Sequence, residues 1–214
     1  MSAGTSARST RERLLEAATQ VFLAEGYRDA TFRQICRLAG ANSAAINYHF
    51  RDKEKLYLEV IERVIEESRS RFPLPPDDLP PEQRLRAFVQ MLLRNLLQGE
   101  IDTPLMKIMA REMADPTLGL DLVVEQVIRP VHAALGEIVR QLAEPGVSTQ
   151  QVRDCTYSIL GQCNCFRHAQ PVISRLGQYR DYDPATIEHI IDHITQFSLA
   201  GIRAMKADGA AQSD

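Results

Sequence analysis

The 214-residue sequence lacks several features that identify common classes of protein. It contains no glycine-rich phosphate loop, no nucleophile elbow and no HExxH zinc motif, so we expect neither an enzyme nor catalytic residues. No apolar run approaches the length of a membrane span, and residues 1–7 carry no apolar leader segment. These absences predict a cytoplasmic protein with no membrane partner, no bound metal and no cofactor.

Cysteine is also scarce, and strand-like patterning is missing. The four cysteines, at positions 36, 155, 163 and 165, have spacings that form no plausible disulfide framework, which fits reduced thiols in the cytoplasm. Apolar residues recur at every third or fourth position instead of alternating. We therefore predict an all-α fold, in a chain long enough for one compact unit or two small domains.

The charge is distributed unevenly along the chain. The formal net charge is −3, but residues 1–55 contain nine Lys or Arg against six Asp or Glu, a net of +3. The remainder therefore has a net charge of −6. A modest segregation of this kind arises by chance in many proteins, yet it is the expected sign for an N-terminal part that contacts nucleic acid.

Two short helices joined by a tight turn are predicted between residues 31 and 50. Thr31 and Gln34 have the spacing of a capping box, which begins the first helix. Gly40 supplies the left-handed residue that ends it, and Asn42 is a suitable N-cap for the second. Asp52 then caps a third helix directly afterwards. This succession is typical of a helix-turn-helix.

The second short helix has the character of a helix that enters the major groove. Its N-terminal residues, Ser43 to Ala45, are small, and Ile46 and Phe50 form its buried side. We infer that Asn47 pairs with a base edge and that Tyr48 and His49 reach phosphates.

Residues 8–56 resemble the DNA-binding domain of the TetR family of bacterial transcriptional regulators. The resemblance lies in the Ala17–Phe22 core, the Glu25-Gly26-Tyr27 turn, Thr31, and the runs Tyr48-His49-Phe50 and Lys53-Glu54. It implies an N-terminal three-helix DNA-binding domain and a C-terminal helical domain for effector binding and dimerisation. It also implies a set of phosphate contacts: Thr31, Tyr48, His49 and Lys53. It places a second set towards the groove: Arg33, Ser43, Ala44, Ala45 and Asn47. The family more often has an aromatic residue where this chain has Asn47.

Helix signals and a proline-rich break define the predicted organisation. We predict a flexible arm over residues 1–7, a DNA-binding domain over 8–68, a proline-rich connector over 69–81, an effector-binding and dimerisation domain over 82–205, and a flexible tail over 206–214. Within the C-terminal domain, one long helix is expected from about 117 to 143 with a bend at Pro130, and others from 148 to about 171 and from 183 to 201.

The last predicted helix carries a broad apolar stripe that suggests a dimer. The stripe consists of Ile187, Ile190, Ile191, Ile194, Phe197 and Gly201. In TetR-like proteins the last two long helices pair with their symmetry mates as a four-helix bundle, so the resemblance implies a homodimer on a near-palindromic operator. The other interpretation is that the stripe packs inside one chain.

Two segments, Met106–Arg129 and Leu160–Arg167, resemble the C-terminal domain of the CecR-type subgroup of TetR regulators. This resemblance implies a small amphipathic effector, such as a drug or a metabolite exported by a neighbouring pump. The candidate effector-binding residues are Met106, Met109, Arg111, Met113, Gln162, Phe166 and Arg167. The methionines share one helical face and suit a flexible apolar wall, although a methionine stripe is more often ordinary core.

The residues leave one alternative mode of sensing open. His189 and His193 are spaced i and i+4 on the last helix, and Cys155, Cys163, Cys165 and His168 precede them, as in some metal- or thiol-sensing regulators. On a helical wheel the two histidines lie off the isoleucine stripe, and Cys163 and Cys165 face different directions. The favoured prediction is therefore a ligand-responsive regulator, usually a repressor, whose partners are a double-stranded DNA operator and a small-molecule effector.

Overall fold

The computed structural model describes residues 9–69, 73–97, 103–177, 179 and 181–207. Within these ranges all regular structure is helical, which confirms the predicted all-α class. The α-helices are α1 (Thr10–Asp29), α2 (Phe32–Ala39), α3 (Ser43–Phe50), α4 (Lys53–Arg69), α5 (Pro81–Leu97), α6 (Pro104–Ala114), α7 (Leu118–Val123), α8 (Arg129–Leu142), α9 (Thr149–His168), α10 (Gln170–Ile173) and α11 (Pro184–Ala204). A single π-helical segment, Val124–Ile128, separates α7 from α8.

The helix starts predicted from local sequence are confirmed. Ser9, Thr31 and Ser148 each form a capping box with the residue three positions later. Asn42 accepts a hydrogen bond from the Ala45 amide at 2.8 Å, and Asp52 accepts one from the Lys55 amide at 2.8 Å. Each cap satisfies a backbone donor that the helix itself cannot pair, which explains why short sequence signals are sufficient.

Two glycines take the backbone conformations that their turns require. Gly40 ends α2 with a φ of 61° and a ψ of 38°, the left-handed conformation predicted for it. Gly26 interrupts α1 with a φ of 86° and a ψ of 175°. The predicted Glu25-Gly26-Tyr27 turn is therefore present, and the chain changes direction there before reaching α2.

The chain forms two compact units, each of which contains two separate stretches of the sequence. Of the described residues, 9–69 and 103–127 form the first unit, and 73–97, 128–177, 179 and 181–207 form the second. Helices α6 and α7, which lie within the predicted domain 82–205, pack on α4 in the first unit. Contacts between residues distant in sequence determine this division, so no local signal could have predicted it.

The second unit is built around α5 and α11. Both helices pack against α9 and α8, and the core includes Phe88, Leu135, Ile159 and Ile191, each at most 1% exposed. Burial of such side chains stabilises each by about 1.5–3 kcal/mol relative to exposure.

Charged groups on α5 supplement that apolar core. Arg86 forms ion pairs with Glu188 and Asp192 of α11, which raises the pKa of its guanidinium through hydrogen bonds to both carboxylates. These pairs are partly exposed, so they supplement the contact between the two helices only modestly.

The predicted long helix over residues 117–143 is interrupted. Thr117 caps α7 as expected, but the π-helical segment Val124–Ile128 lies directly before Pro130, at the beginning of α8. A proline ring clashes with the carbonyl four residues earlier in an α-helix, and a wider turn relieves that clash. The expected disturbance at Pro130 is therefore a π turn.

The predicted arm, tail and connector are described only in part. Residues 1–7 lie outside the described residues, as does the tail beyond residue 207. Lys206, placed in the predicted tail, accepts a hydrogen bond from Gln151 Nε2 through its carbonyl at 2.9 Å. In the connector, Asp77 pairs with the buried Arg84 of α5. Among the described residues, no helix is long and apolar enough to cross a bilayer.

Candidate nucleic-acid interface

Helix α3 separates a buried side from a polar side that faces solvent. Ile46 and Phe50 are 0% and 3% exposed and anchor the helix in the first unit. The other side presents four exposed residues: Ser43, Ala44, Asn47 and Tyr48. Tyr48 is 83% exposed, an extreme value for an aromatic side chain. The predicted groove-facing positions on α3 are therefore accessible, apart from Ala45, which is half-buried.

The start of α2 is exposed beside a fully formed capping box. The Thr31 hydroxyl accepts from the Gln34 amide at 3.3 Å, and Gln34 Oε1 accepts from the Thr31 amide at 2.8 Å. Arg33 is exposed, and the described residues provide no ion pair or hydrogen bond to its guanidinium. Thr31 and Arg33 are thus accessible to a ligand, as predicted for DNA contacts.

His49 and Lys53, both predicted to contact phosphates, are only partly exposed. His49 is half-buried, with its ring centroid 5.1 Å from that of Tyr48 and 6.1 Å from that of Phe50. Lys53 Nζ donates to the Arg28 carbonyl at 2.9 Å and lies 4.9 Å from the centroid of the Tyr27 ring. Partial burial lowers the pKa of Lys53. Its ammonium therefore joins α4 to the end of α1, and a phosphate contact could use only its remaining donors.

Behind this surface, an aromatic cluster joins α1 to α4. The Tyr57 ring lies 4.8 Å from the Phe22 ring and 4.9 Å from the Tyr27 ring, between centroids. Phe22 and Tyr57 are almost completely buried. Such contacts add to burial through edge-to-face attraction and hold α4 against α1.

A buried carboxylate connects this cluster to the corner between α6 and α7. Glu112 is 1% exposed, and its Oε1 accepts from the Tyr57 hydroxyl and the Thr117 hydroxyl, each at 2.7 Å. Its Oε2 accepts from the Thr117 amide at 2.8 Å. Burial and the hydrogen bond to Glu112 raise the pKa of Tyr57 above its usual value. We call Tyr57, Glu112 and Thr117 the Glu112 junction.

Glycine 119 allows the Glu112 junction to close tightly. A Cβ atom at this position would lie 2.5 Å from Ile61 Cδ1 and 2.9 Å from both Tyr57 Cε1 and Glu112 Oε1. Real Cβ atoms do not approach neighbours this closely, so only glycine lets α7 pack against α4 in this way.

Two arginines fasten α6 to the end of α1 at the edge of the junction. Arg111 donates to the Ala24 carbonyl at 2.6 Å and to the Leu23 carbonyl at 3.2 Å. Arg28 binds the Asp115 carboxylate with two hydrogen bonds, at 2.6 and 2.9 Å. Arg111, predicted as a polar anchor for the effector, thus donates to two carbonyls in the helical turn before Gly26.

The other predicted effector residues do not lie in one unit. Met106 and Met109 are half-buried on α6 in the first unit, whereas Met113 is 71% exposed. Gln162, Phe166 and Arg167 are half-buried in the second unit. The effector assignment of these residues stays a prediction.

The predicted dimer stripe is mostly internal to one chain. Ile187, Ile190, Ile191 and Ile194 are 0–1% exposed, so they belong to the core of the second unit and cannot form a dimer surface. Their i, i+3, i+4 spacing correctly identified a buried stripe but not the surface it packs against. Phe197 and Gly201 are exposed on α11, and Phe197 is 61% exposed.

The groups considered for metal or thiol sensing are dispersed. Among the described residues, no group of three or more His, Cys, Asp or Glu side chains could hold a metal ion. His189 and His193 are exposed on α11, and Cys165 is exposed on α9. Cys163 is buried, which raises its pKa to about 12, and burial also raises the pKa of Cys155. Thiols with raised pKa values are poor nucleophiles and poor metal ligands at neutral pH.

The Glu112 junction was not predicted, although the sequence of α6 contains a pattern that points to a buried carboxylate. Leu105, Ile108 and Glu112 are spaced i, i+3 and i+7, so a carboxylate occupies the apolar face of α6. A charged residue in a buried register is rarely tolerated unless it is paired. That pattern predicts a buried acceptor, but the sequence does not identify its donors.

Two family models match the chain and together cover both parts of it. Residues 14–60 match the family described as "Bacterial regulatory proteins, tetR family". Residues 81–202 match the family described as "HTH-type transcriptional dual regulator CecR, C-terminal domain". The chain therefore belongs to the TetR family of transcriptional regulators, in the group that carries the CecR C-terminal domain. Members of this family bind DNA operators, function as dimers and are not enzymes.

Individual relatives agree with this assignment. The chain is 28% identical over 199 residues to the HTH-type transcriptional dual regulator CecR of Shigella flexneri, covering 86% of this chain and 87% of that protein. It is 37% identical over 84 residues to the repressor NicS of Pseudomonas putida, a match that covers only 39% of this chain and 40% of that protein.

Solved structures show the same fold. The Flavonoid-responsive Regulator FrrA superposes with a TM-score of 0.65 at 20% identity, covering 91% of this chain and 97% of that one. HlyIIR, a hemolysin II transcriptional regulator, gives 0.56 at 22% identity, covering 87% and 97%.

Proposed function

We propose that this protein is a cytoplasmic, homodimeric repressor that leaves a near-palindromic operator when a small amphipathic effector binds. The observation that carries the proposal is the exposed polar side of α3, where Asn47 and Tyr48 face solvent while Ile46 and Phe50 fix the helix from behind. Exposed polar side chains on a helix that is anchored from behind are available to a ligand. On a helix-turn-helix that ligand is the DNA major groove and its flanking phosphates.

The roles of the exposed residues follow from their chemistry. An asparagine amide can donate and accept at once, which suits the N6 and N7 atoms of adenine. The Tyr48 hydroxyl and the amides at the start of α2 suit phosphate oxygens, which every duplex presents. Asn47 therefore sets sequence preference, and Tyr48 contributes affinity.

Coupling between effector and DNA runs through α4 and the Glu112 junction. Helix α4 begins directly after the turn that follows α3, and Tyr57 on α4 is bound to Glu112 on α6. A shift of α6 consequently displaces α4 and the recognition helix ahead of it. An effector that prefers the displaced arrangement by a few kcal/mol is sufficient to reverse a two-state equilibrium.

The dimer surface is assigned to the exposed side of α11. Phe197 is the large apolar side chain there, and Gly201 lies one turn later with no heavy atom within 4 Å of an added Cβ. A large side chain beside an open glycine can interlock with the same pair on a two-fold partner. Phe197→Arg should therefore convert the dimer to a monomer in sedimentation measurements, whereas Met113→Arg, at another exposed apolar residue, should leave it dimeric. A dimer that persists in Phe197→Arg would overturn this assignment.

In-vitro selection of random duplexes on the purified protein tests DNA recognition. We expect a two-fold symmetric site with half-sites about one helical turn apart. Asn47→Ala should then lose discrimination at one base pair of each half-site, by about 1–3 kcal/mol, while its affinity for random duplexes stays unchanged. Failure of the wild-type protein to enrich any sequence, together with equal binding of all duplexes, would refute the proposed function.

A further inference from the structure

The turn between α3 and α4 contains an unusual residue, Arg51. Its φ is 67° and its ψ is −57°, and the Asp52 amide donates to the Phe50 carbonyl at 2.8 Å across it. This is a γ-turn of the strained, positive-φ form. Among the described residues that are not glycine, Arg51 alone has a positive φ.

A side chain in this conformation destabilises the folded state. The Cβ atom crowds the neighbouring backbone, and residues held in such regions cost about 1–3 kcal/mol each. Glycine occupies the other positive-φ positions that the structure describes: Gly26, Gly40, Gly146 and Gly177. Arg51 is therefore the exception. A residue other than glycine at this position is expected to contribute an interaction that offsets the strain.

Among the described residues, no contact within the protein uses the Arg51 side chain. Arg51 is exposed, and the described residues offer its guanidinium no hydrogen bond, ion pair or ring contact. Nearby cations differ, because Arg11 pairs with Glu59, Lys53 binds the Arg28 carbonyl and Lys55 pairs with Asp52. Within the described part of the chain, no contact of the Arg51 side chain offsets this strain.

The position of Arg51 places it at the end of the recognition surface. Its amide donates to the Asn47 carbonyl at 3.1 Å, so it follows Asn47 by one helical turn. Ala44, Asn47 and Tyr48 are exposed at spacings of i, i+3 and i+4 on α3, and the exposed Arg51 is the C-cap of that helix. A cation with no recognised partner thus lies at the end of the helix that faces DNA in the proposed function.

We propose that Arg51 is a DNA-backbone contact, whose guanidinium binds a phosphate beside the bases read by α3. This assignment rests on the proposed DNA-binding function. Arg51 supplies the cation that Lys53, engaged with the end of α1, is poorly placed to supply. A guanidinium matches two phosphate oxygens at once, which a neutral side chain of similar length cannot do.

Three variants separate charge from strain. Arg51→Gln removes the charge and keeps the strained backbone, Arg51→Lys keeps the charge, and Arg51→Gly removes both charge and strain. Affinity for the selected duplex and for a random duplex is measured by fluorescence anisotropy across a salt series, and Tm is measured on the same proteins. Arg140→Gln, on α8, is the control for the change in net charge.

For Arg51→Gln we expect affinity to fall about tenfold, equally on both duplexes. The slope of log K against log salt should decrease by about 0.9 for each protomer, or about 1.8 for a dimer. Arg51→Lys should keep the slope. Arg51→Gly should lose affinity as Arg51→Gln does, yet its Tm should rise by roughly 2–4 °C because the strain is relieved.

The outcomes distinguish this inference from the function on which it rests. An unchanged salt slope in Arg51→Gln, with normal binding by the wild-type protein, would overturn the Arg51 contact alone. A loss confined to the selected duplex would also overturn it, because it would indicate a base contact. If the wild-type protein enriches no sequence and binds all duplexes equally, the proposed function itself is refuted.

Discussion

The first unit contains two polar regions that are organised in opposite ways. On the outer side of α3, Asn47 and Tyr48 are exposed, and no side-chain hydrogen bond joins either of them to another described residue. At the Glu112 junction, a carboxylate that is 1% exposed receives hydrogen bonds from Tyr57 and twice from Thr117. The first region leaves its hydrogen-bonding capacity for a ligand, whereas the second uses its capacity inside the fold.

This difference teaches how one small unit combines rigidity with recognition. Buried polar groups that are fully paired fix a unique arrangement, since every alternative leaves a donor or acceptor unpaired. Exposed groups without partners contribute little to stability, so they can be selected for binding. Variants of the junction should therefore affect stability, and variants of α3 should affect binding.

The largest effect is expected for Glu112→Ala. It leaves the buried Tyr57 hydroxyl and the half-buried Thr117 amide without an acceptor, so the free energy of unfolding should fall by about 3 kcal/mol. For a protein of this size, Tm should fall by roughly 6–12 °C. Glu62→Ala removes an exposed carboxylate from α4 and should change stability by less than about 0.5 kcal/mol. Equal Tm values for the two variants in thermal denaturation would contradict the role assigned to Glu112.

A smaller loss of stability is expected for Gly119→Ala. The added methyl group would overlap Ile61 and Tyr57, and overpacking of this kind costs about 2 kcal/mol. Gly136→Ala is the matched control, because its Cβ would meet only Thr156 Oγ1 at 3.7 Å. That helical substitution should raise the free energy of unfolding by about 0.5–1 kcal/mol. Urea denaturation measures both, and shifts of the same sign would show that the approach at Gly119 is looser than described.

The smallest free-energy change is expected for Tyr48→Ala, and it concerns binding only. Stability should stay within about 0.5 kcal/mol of wild type, because the side chain is 83% exposed. Affinity for both selected and random duplexes should fall about tenfold, equivalent to about 1.4 kcal/mol. Tyr48→Phe, which lacks only the hydroxyl, should show most of this loss in titrations. If Tyr48→Phe binds as the wild type does, the phosphate hydrogen bond is absent.

The sequence predicted local structure well and long-range structure less well. The predicted caps at Thr31, Asn42 and Asp52 depend on residues within three positions, and all are confirmed. The apolar spacing on α11 correctly predicted burial, but a stripe that packs inside one chain has the same spacing as one that packs on a partner. Only the surrounding helices α5, α8 and α9 resolve that ambiguity.

Contacts with residues distant in sequence also engage two side chains that were predicted to bind ligands. Lys53 and Arg111 were assigned to ligands from their residue type and position, yet each donates to a backbone carbonyl near the end of α1. Backbone carbonyls are present at every position and leave no mark in a sequence. Their availability depends on where the helix is interrupted, at Gly26, and on where it ends, at Asp29.

By itself, the sequence determined the helical class, the helix starts, the helix-turn-helix and the family, because caps, periodicity and short motifs are local properties. Tertiary structure alone decided that α6 and α7 belong with the DNA-binding part, that Glu112 has buried donors and that the isoleucines of α11 face inward. The physical reason is that pairing and burial depend on which distant segments meet. Free energy is gained only where those segments pack together and satisfy each other's polar groups.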